Sequence, residues 1–501
     1  MTEKDESAKP EQARDESKKE EKPAPKDNLV ETKHSVMIGG KEVKYTAIAG
    51  TMVLKEEHTD REKEFEAEKP RAELFFIAYI KDDVELRSTR PITFAFNGGP
   101  GSSSVWLHMG ALGPRRAVLE DDGSLPPPPY KLTDNEYSLL DETDLVFIDP
   151  ISTGYSRPVE GQKAKDWHGF KKDITSVGDF IRLFVTRYNR WLSPKFIAGE
   201  SYGTTRASAL ADYLQERHGM YLNGIMLVST ALDFTTLDFY VNNEVPYVMF
   251  LPAYAATAWY HGKLRSRRPL QSLLREVEQF AAGEYAAALF RGDQLPKRER
   301  AQIVQKISRY TSLSPEFIER SNLRINDQHF FKELLRDRGF IVGRLDSRLL
   351  GHDRLGVTEK PEYDPLMTTV SGPFTAAFYD YVRTHLKFES DIPYEVSAEI
   401  VWPWSYKEFE NQFVNVGEPL RAAMAHNPYL KVFVANGYFD LGTPYFATEY
   451  VFNHLGLDEA ARRNISMGYY EAGHMMYIHL PSLQKLKADL AEFVHSAAGV
   501  S

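Results

Sequence analysis

Three polar side chains in separate parts of the chain could together carry out nucleophilic catalysis. The first, Ser201, lies in Gly-Glu-Ser-Tyr-Gly at 199–203, between an apolar run and a helical pattern. This G-x-S-x-G context is typical of a nucleophile elbow, a sharp strand-to-helix turn that lifts a serine hydroxyl above a sheet. A serine hydroxyl is a weak nucleophile, so it needs an imidazole to take its proton and a carboxylate to orient the imidazole. The pattern predicts a catalytic serine; the alternative is a tight turn with an idle serine.

The base and the acid are expected in loops that follow two late strands. In chains with such an elbow the order along the sequence is serine, then Asp or Glu, then His. Asp440 follows an apolar run that ends at Ala435, and His474 follows another that ends at Tyr470. We therefore predict Asp440 as the orienting acid and His474 as the general base. His479 is the closest alternative base, but it lies where a helix is expected to begin.

A glycine-rich stretch could stabilise the negative charge that develops during acyl transfer. Residues 97–104 read Asn-Gly-Gly-Pro-Gly-Ser-Ser-Ser and follow an apolar run. Glycine lets backbone N–H groups approach a carbonyl oxygen closely, and the N–H of the residue after the nucleophile, Tyr202, supplies a second donor. A phosphate-cradling loop is the alternative, but the Lys-Ser/Thr of a P-loop is missing.

These loops must be held by a sheet, and the hydrophobic pattern predicts one. Residues from about Val30 to Lys81 read as consecutive strands, and the short apolar runs at 92–96 and 145–148 are typical of buried parallel strands. A helical spacing covers Trp167–Trp191, and a further strand is expected over Asn223–Ser229. Alternating strands and helices predict an α/β fold with a mostly parallel central sheet flanked by helices.

The pattern becomes mainly helical between Leu232 and Ser405, with helices expected over 269–289, 296–310 and 328–337. An α/β core interrupted in this way predicts an inserted helical cap over the carboxyl edge of the sheet. The predicted organisation is a disordered charged tail (1–29), a first part of the α/β core (30–231), the cap (232–405) and a second part of the core (406–501).

Composition narrows the class of protein. The 501 residues carry a net charge of −10, which argues against nucleic-acid binding. The chain has no cysteine, which excludes disulfides, thiolate metal sites and cysteine nucleophiles. No metal or cofactor motif occurs, and no apolar run reaches the length of a membrane span. The N-terminus lacks an apolar signal stretch, so the sequence as given predicts a cytoplasmic protein, or a periplasmic or secreted one if an upstream signal was removed. The sequence specifies no oligomeric state.

In these motifs the chain resembles the serine carboxypeptidase family of the α/β-hydrolase fold, as a cysteine-free, bacterial-type member. The matching segments are 97–104, 199–203, 437–440 and 472–475. General esterases rarely carry both of the first two. The resemblance implies an enzyme without a cofactor that acts on peptides with a free C-terminus and removes C-terminal residues through an acyl-enzyme.

The resemblance also implies roles for four further residues. Asn97 and Glu200 would bind the C-terminal carboxylate of the peptide, and Gly99 and Tyr202 would supply oxyanion N–H groups. A carboxyl group can hold a carboxylate only when one of the two carries a proton, because close anions repel. Peptidase activity is therefore expected to favour acidic pH. The alternative is that Glu200 only hydrogen-bonds the backbone of the elbow.

The chain departs from the family pattern outside the triad. Ser102 stands where the family has Cys, and Ala111 stands where it has a Glu expected to share a proton with Glu200. Tyr438 replaces the first Asp of a Gly-Asp-x-Asp pattern, and Met-Tyr at 476–477 replaces Val-Pro. These departures bear on the pH optimum and on the strictness of carboxylate recognition.

Two other functions use the same features. An esterase or acyltransferase for small molecules would carry the same triad and elbow. A binding protein that retained the fold without catalysis is the third alternative. Replacing Glu200 should harm peptide hydrolysis far more than ester hydrolysis only in a carboxypeptidase.

Overall fold

The computed structural model describes residues 25–59, 65–265 and 268–499. The strands are β1 (Asn28–Ile38), β2 (Lys41–Thr59), β3 (Phe65–Lys81), β4 (Ile92–Phe96), β5 (Arg115–Ala117), β6 (Leu132–Asp134), β7 (Asp144–Ile148), β8 (Arg157–Pro158), β9 (Lys195–Ser201), β10 (Gly224–Thr230), β11 (Ile341–Val342), β12 (Leu350–Gly351), β13 (Lys431–Gly437) and β14 (Ile465–Tyr470). The predicted charged tail lies outside the described residues up to position 24, and β1 begins at Asn28.

The helices surround this set of strands. They are α1 (Val105–Leu107), α2 (Phe170–Arg187), α3 (Tyr202–His218), α4 (Val245–Tyr260), α5 (Leu270–Phe280), α6 (Ala286–Arg291), α7 (Lys297–Thr311), α8 (Pro315–Arg320), α9 (Asp327–Glu333), α10 (Pro365–Asp380), α11 (Gly417–His426), α12 (Tyr445–Asn453), α13 (Glu459–Arg462) and α14 (Leu480–Ala498). Short π-helical turns follow α1, α5 and α10 at His108–Leu112, Ala281–Tyr285 and Tyr381–His385. No helix of the described residues is long and apolar enough to cross a membrane.

One large sheet organises the fold. Its strand order is β1-β2-β3-β7-β4-β9-β10-β13-β14, and β8 pairs with β3. Neighbours from β7 to β14 run parallel, whereas β1, β2, β3 and β7 pair in antiparallel fashion. The carboxyl ends of β4, β9, β13 and β14 therefore open at the same edge, where loops carry functional groups in sheets of this kind. The predicted α/β fold with a mostly parallel sheet is confirmed.

The sheet is covered on both faces, which explains its apolar strands. In β4, Ala95 belongs to one hydrophobic cluster, whereas Phe94 and Phe96 belong to another. The first cluster includes side chains of α10 and α14, and the second includes those of α2, α3 and α11. Because side chains alternate between faces, a strand buried on both sides needs apolar residues throughout.

The segment 232–405 contains two differently packed parts. Helices α4 to α9 share a separate hydrophobic cluster, which also includes Leu441 and Ala447. Helix α10 instead packs in the cluster of the sheet, where Phe374 lies 5.2 Å from the ring of Trp106. Helices α5, α7 and α9 begin at Leu270, Lys297 and Asp327, each within one residue of the position expected from the sequence. The second part of this segment thus packs with the sheet and not with the helical cluster.

Candidate active site

Ser201 lies on the elbow that the sequence predicts. It ends β9, and α3 begins at the next residue. Its backbone has φ 60° and ψ −129°, which is uncommon for a residue with a side chain and typical of strained functional positions. A Cβ at Gly199 would lie 2.2 Å from the carbonyl oxygen of Gly203, so the turn can close only with glycine at 199.

Asp440 and His474 meet at the carboxyl edge of the sheet. His474 Nδ1 lies 2.8 Å from Asp440 Oδ2, and both side chains are buried. Asp440 Oδ1 accepts hydrogen bonds from the backbone N–H groups of Gly442 (2.8 Å) and Thr443 (3.0 Å). The Thr443 hydroxyl donates to Oδ2 at 2.6 Å. These bonds fix the carboxylate, so it can orient the imidazole as the prediction requires.

The ring of His474 presents its other nitrogen for proton transfer. Because Nδ1 is paired with Asp440, Nε2 is the nitrogen left to accept a proton from a nucleophile. No hydrogen bond joins Nε2 to the Ser201 hydroxyl in the part of the chain that the structure describes. Resting enzymes often form this contact only when substrate is bound. The contact between Ser201 and His474 therefore stays a prediction.

A segment from the insertion fastens both triad loops. We call residues 344–347 the clamp. The carbonyl of Leu345 accepts from the His474 N–H at 2.6 Å, and that of Arg344 accepts from the Leu441 N–H at 2.9 Å. Ser347 N–H donates to the carbonyl of Phe439 at 3.0 Å. No motif in the sequence singles out the clamp, because these three bonds join backbone groups.

The glycine-rich loop lies against the N-terminus of α3. A Cβ at Gly98 would lie 2.4 Å from the Tyr202 nitrogen and 2.6 Å from the Gly203 nitrogen. Gly99 has φ +104°, a conformation that glycine adopts without strain. Tyr202 is the first residue of α3, so its N–H has no acceptor within the helix. The loop thus borders the helix terminus at which the Tyr202 N–H is available as a donor.

This packing makes Gly98 a sensitive position. We expect Gly98→Ala to lower kcat about 10²–10³-fold, as the loss of an oxyanion donor does, because the new methyl group would push the loop away from the elbow. The kcat should fall by the same factor for peptide substrates and for ester substrates. Gly283→Ala is the control, since no atom lies within 4 Å of the added methyl group. An unchanged kcat would exclude this loop from the oxyanion site.

Ser102, at the family's Cys position, is held by hydrogen bonds. Its hydroxyl accepts from the Trp106 indole N–H at 2.9 Å and donates to the carbonyl of Ser103 at 3.1 Å. The backbone on either side pairs with the segment that follows α10, since Ser103 N–H donates to Val396 at 3.0 Å and Ala398 N–H donates to Gly101 at 2.8 Å. The loop is therefore fixed without a disulfide.

Glu200 and Asn97 lie together beside the elbow, and both are almost fully buried. The amide oxygen of Asn97 accepts from the Leu107 N–H at 2.9 Å, which leaves its NH₂ group free to donate elsewhere. Glu200 Oε2 makes no hydrogen bond within the described residues. Burial raises the pKa of Glu200 to about 7, although a positive charge on His474 favours the anion. The site thus pairs an amide donor with a carboxyl group that is protonated below neutral pH.

The charge state of His474 is coupled to its neighbours. Burial alone would lower the pKa of His474, but the charge of Asp440 and the hydrogen bond to it outweigh burial and raise it. A charged Glu200 raises it further. Within the described residues, no group of three or more His, Asp or Glu side chains is arranged to bind a metal ion.

Comparisons with known proteins identify the family to which the chain is similar. A family model described as serine carboxypeptidase matches residues 65–478. Serine carboxypeptidase-like 33 of Arabidopsis thaliana is 30% identical over 146 residues, which are 27% of this chain and 27% of that protein. The pheromone-processing carboxypeptidase KEX1 of Saccharomyces cerevisiae is 32% identical over 161 residues, 31% of this chain and 20% of that protein. These two alignments thus span about a quarter and a fifth of the relatives' lengths.

A solved structure extends the similarity to the whole fold. The crystal structure of the prohormone-processing carboxypeptidase Kex1(Δ)p from Saccharomyces cerevisiae aligns with a TM-score of 0.56 at 15% identity, over 90% of this chain and 91% of that one. This likeness supports the shared fold. Since the family model covers more than four fifths of the sequence, the chain belongs to the serine carboxypeptidase family.

Proposed function

We propose that the protein is a serine carboxypeptidase that removes C-terminal residues from peptides through an acyl-enzyme and favours acidic pH. The observation that carries this proposal is the buried carboxyl group of Glu200, which lies beside Asn97 and directly precedes Ser201. A buried carboxyl group beside the nucleophile, in its protonated form, can recognise a free C-terminal carboxylate. Membership of the family supports the same activity.

The chemistry follows from the order of proton transfers. The Ser201 hydroxyl attacks the carbonyl carbon of the last peptide bond while His474 Nε2 takes its proton, and Asp440 stabilises the imidazolium. The oxyanion is held by N–H groups of Gly99 and Tyr202. His474 then gives its proton to the leaving amine, which departs as the free C-terminal amino acid. Water attacks the acyl-enzyme by the same steps in reverse and restores Ser201.

Recognition of the carboxylate requires Glu200 to carry a proton. Two unscreened anions in a buried site repel, whereas a protonated Glu200 donates a hydrogen bond to the substrate carboxylate. Burial raises the pKa of Glu200 to about 7, so the protonated form predominates below that pH and is lost as the pH rises through it. The affinity for peptides with a free C-terminus should fall over the same interval.

His474 must be neutral to act as a base, so the two groups have opposite requirements. Because Glu200 and His474 interact, they titrate as a pair and not as independent groups. Peptide hydrolysis needs the form of the pair with one proton, carried by Glu200. Ester hydrolysis needs only a neutral His474. The ratio of the peptide rate to the ester rate therefore isolates Glu200, since the requirement for His474 cancels.

We expect this ratio, measured as kcat/KM for an N-blocked dipeptide acid and for its matched ester, to fall as the pH rises from 5 to 8. Glu200→Gln should make the ratio independent of pH, because an amide donates a hydrogen bond without titrating. Glu200→Ala should lower the peptide kcat/KM at pH 5 about 10- to 100-fold, as expected for a hydrogen bond to a charged group, with little effect on the ester. C-terminal amides of the same dipeptides are assayed in parallel as substrates without a free carboxylate.

Asp212→Asn is the matched control for these variants. Asp212 lies on α3 eleven residues beyond Ser201, and burial also raises its pKa. Its neutralisation should leave the ratio and its pH dependence as they are in the native protein. A ratio that stays flat or rises between pH 5 and 8 in the native protein would contradict the proposal. Equal losses on peptides and esters in the Glu200→Ala variant would favour an esterase or acyltransferase.

A further inference from the structure

Two buried polar atoms beside the elbow have no hydrogen-bond partner among the described residues. One is Glu200 Oε2, and the other is the hydroxyl oxygen of Tyr477. Both side chains are almost completely buried, with 3% and 2% of their surface exposed. An unsatisfied buried polar group is destabilising, so such groups are rare and call for a physical reason. A ligand that binds between them is one such reason.

The position of the Tyr477 ring is fixed by its neighbours. Tyr477 lies in the one-turn helix Met476–Ile478, three residues after His474. A Cβ at Gly110 would lie 2.4 Å from Cε2 of the ring, so the ring occupies space that only glycine at 110 provides. The ring therefore cannot shift towards that side, and its hydroxyl lies near the side chains of Glu200 and Asn97.

The hydroxyl is a permanent donor. Burial and the charge of Glu200 raise the pKa of Tyr477 well above its ordinary value, so the phenol stays protonated. Asn97 also faces this space with its NH₂ group, because its amide oxygen is engaged by Leu107. A protonated Glu200 adds a third donor. Three donors suit a small anion with several acceptor oxygens, and the C-terminal carboxylate of a peptide is such a group.

We propose that the Tyr477 hydroxyl donates a hydrogen bond directly to the C-terminal carboxylate of the substrate, as a third donor beside Asn97 and protonated Glu200. This inference rests on the proposed function. It assigns a role to a residue at which the sequence departs from the family pattern. Ala111, next to the Gly110 that packs against the ring, has no polar side chain that could contribute to this site.

The proposal has a consequence for the pH dependence of binding. The titratable groups that face Glu200 are His474, Asp440 and Tyr477. Burial and the charge of Glu200 raise the pKa of Tyr477, so its phenol does not titrate in the working range. Glu200 is then the carboxyl group whose ionisation ends carboxylate binding at high pH. Loss of the phenol should weaken binding at every pH at which Glu200 is protonated.

The test is Tyr477→Phe, assayed with dipeptide acids and with the C-terminal amides and esters of the same sequences. We expect KM for the acids to rise about 10- to 100-fold at pH 5, the range for a hydrogen bond to a charged group, with kcat nearly unchanged. Amides and esters should keep their native kcat/KM. Because the hydroxyl makes no hydrogen bond of normal geometry among the described residues, its removal should leave the thermal unfolding midpoint equal to or above the native value.

Tyr381→Phe is the matched control. Tyr381 is fully buried in the same hydrophobic cluster, and its hydroxyl also lacks a hydrogen-bond partner in the described structure. The control should change neither KM nor kcat for any of the substrates. A second readout uses the inactive Ser201→Ala background with and without Tyr477→Phe. Calorimetric titration with an N-acyl amino acid should show the same fold loss of affinity, whereas the corresponding N-acyl amino acid amide should bind both proteins equally.

The outcomes separate this inference from the function on which it rests. If the native protein prefers acids to amides and Tyr477→Phe keeps that preference, the role of Tyr477 is overturned and the proposed function stands. If Tyr477→Phe weakens acids and amides equally, the ring only supports the fold and the inference fails. If the native protein itself shows no preference for a free carboxylate, both proposals fail.

Discussion

Replacement of Ser201 by Ala is expected to lower kcat for peptides and esters by about 10⁶-fold. The elbow holds this serine at φ 60°, at the carboxyl edge where Asp440 and His474 are paired at 2.8 Å. Without the hydroxyl no acyl-enzyme can form, and only the contribution of the oxyanion donors and of substrate binding remains. The native protein should also be labelled by a fluorophosphonate at Ser201, whereas the Ala variant should not, which intact mass measurement would detect.

Ser208→Ala is the matched control for this experiment. Ser208 lies on α3 with a buried hydroxyl that has no hydrogen-bond partner in the described structure, so its loss should affect neither rate nor labelling. A Ser201→Ala protein that retains native activity would show that the elbow does not carry the nucleophile. A native protein that hydrolyses neither peptides nor esters and resists the label would instead favour a binding protein that retained the fold.

Much of the fold could be predicted from the sequence because local patterns and tertiary packing agree. The runs at 92–96 and 145–148 are apolar without alternation because β4 and β7 are covered on both faces. The helical spacing over Trp167–Trp191 corresponds to α2, whose buried residues include Ile174 and Ile181 at positions on one face. Such elements follow from hydrophobic periodicity alone.

The packing of the insertion did not follow from local pattern. The sequence shows a continuous helical character from 232 to 405, but α10 packs with the sheet while α4 to α9 form their own cluster. Both α4 and α10 contain an internal proline, Pro252 and Pro373. Because proline disfavours the interior of a helix, these residues weaken the sequence-based prediction of both helices. Periodicity indicates that a face is apolar, but not which surface covers it.

The residues of the candidate site also differ in whether the sequence alone could predict them. Ser201, Asp440 and His474 could be chosen from the sequence because the chemistry demands those residue types in that order after strands. The clamp at 344–347 acts mainly through backbone carbonyl and N–H groups, with the Ser347 hydroxyl as a further donor to the carbonyl of Phe439 at 3.0 Å, so no motif in the sequence marks it. Tyr477 was visible only as a departure from the family pattern, and its contact with Glu200 depends on the space that Gly110 leaves.

The proposed orienting acid, Asp440, provides the second large expected effect. We expect Asp440→Asn to lower kcat about 10⁴-fold for peptides and esters alike, because the imidazole would be held in the wrong tautomer. Oδ1 of Asp440 accepts from the N–H groups of Gly442 and Thr443, so the amide oxygen of Asn must occupy that position. Its NH₂ group then faces His474 Nδ1 and requires that nitrogen to be an acceptor. The proton moves to Nε2, which can no longer take one from Ser201.

The amide is not expected to adopt the reverse orientation, because its NH₂ group would then face two N–H donors. Steady-state kinetics should therefore show a lower kcat with little change in KM, and the slow reaction with a fluorophosphonate should persist. Thr443→Val removes the hydroxyl that donates to Oδ2. It should lower kcat much less than Asp440→Asn does, because the carboxylate of Asp440 and its bond to His474 remain. Asp179→Asn on α2, whose carboxylate accepts from the Tyr213 hydroxyl at 2.9 Å, is the neutral control. An Asp440→Asn protein with native kcat would mean that another group orients His474, since the tautomer argument leaves no route by which a fixed amide at 440 could support the base.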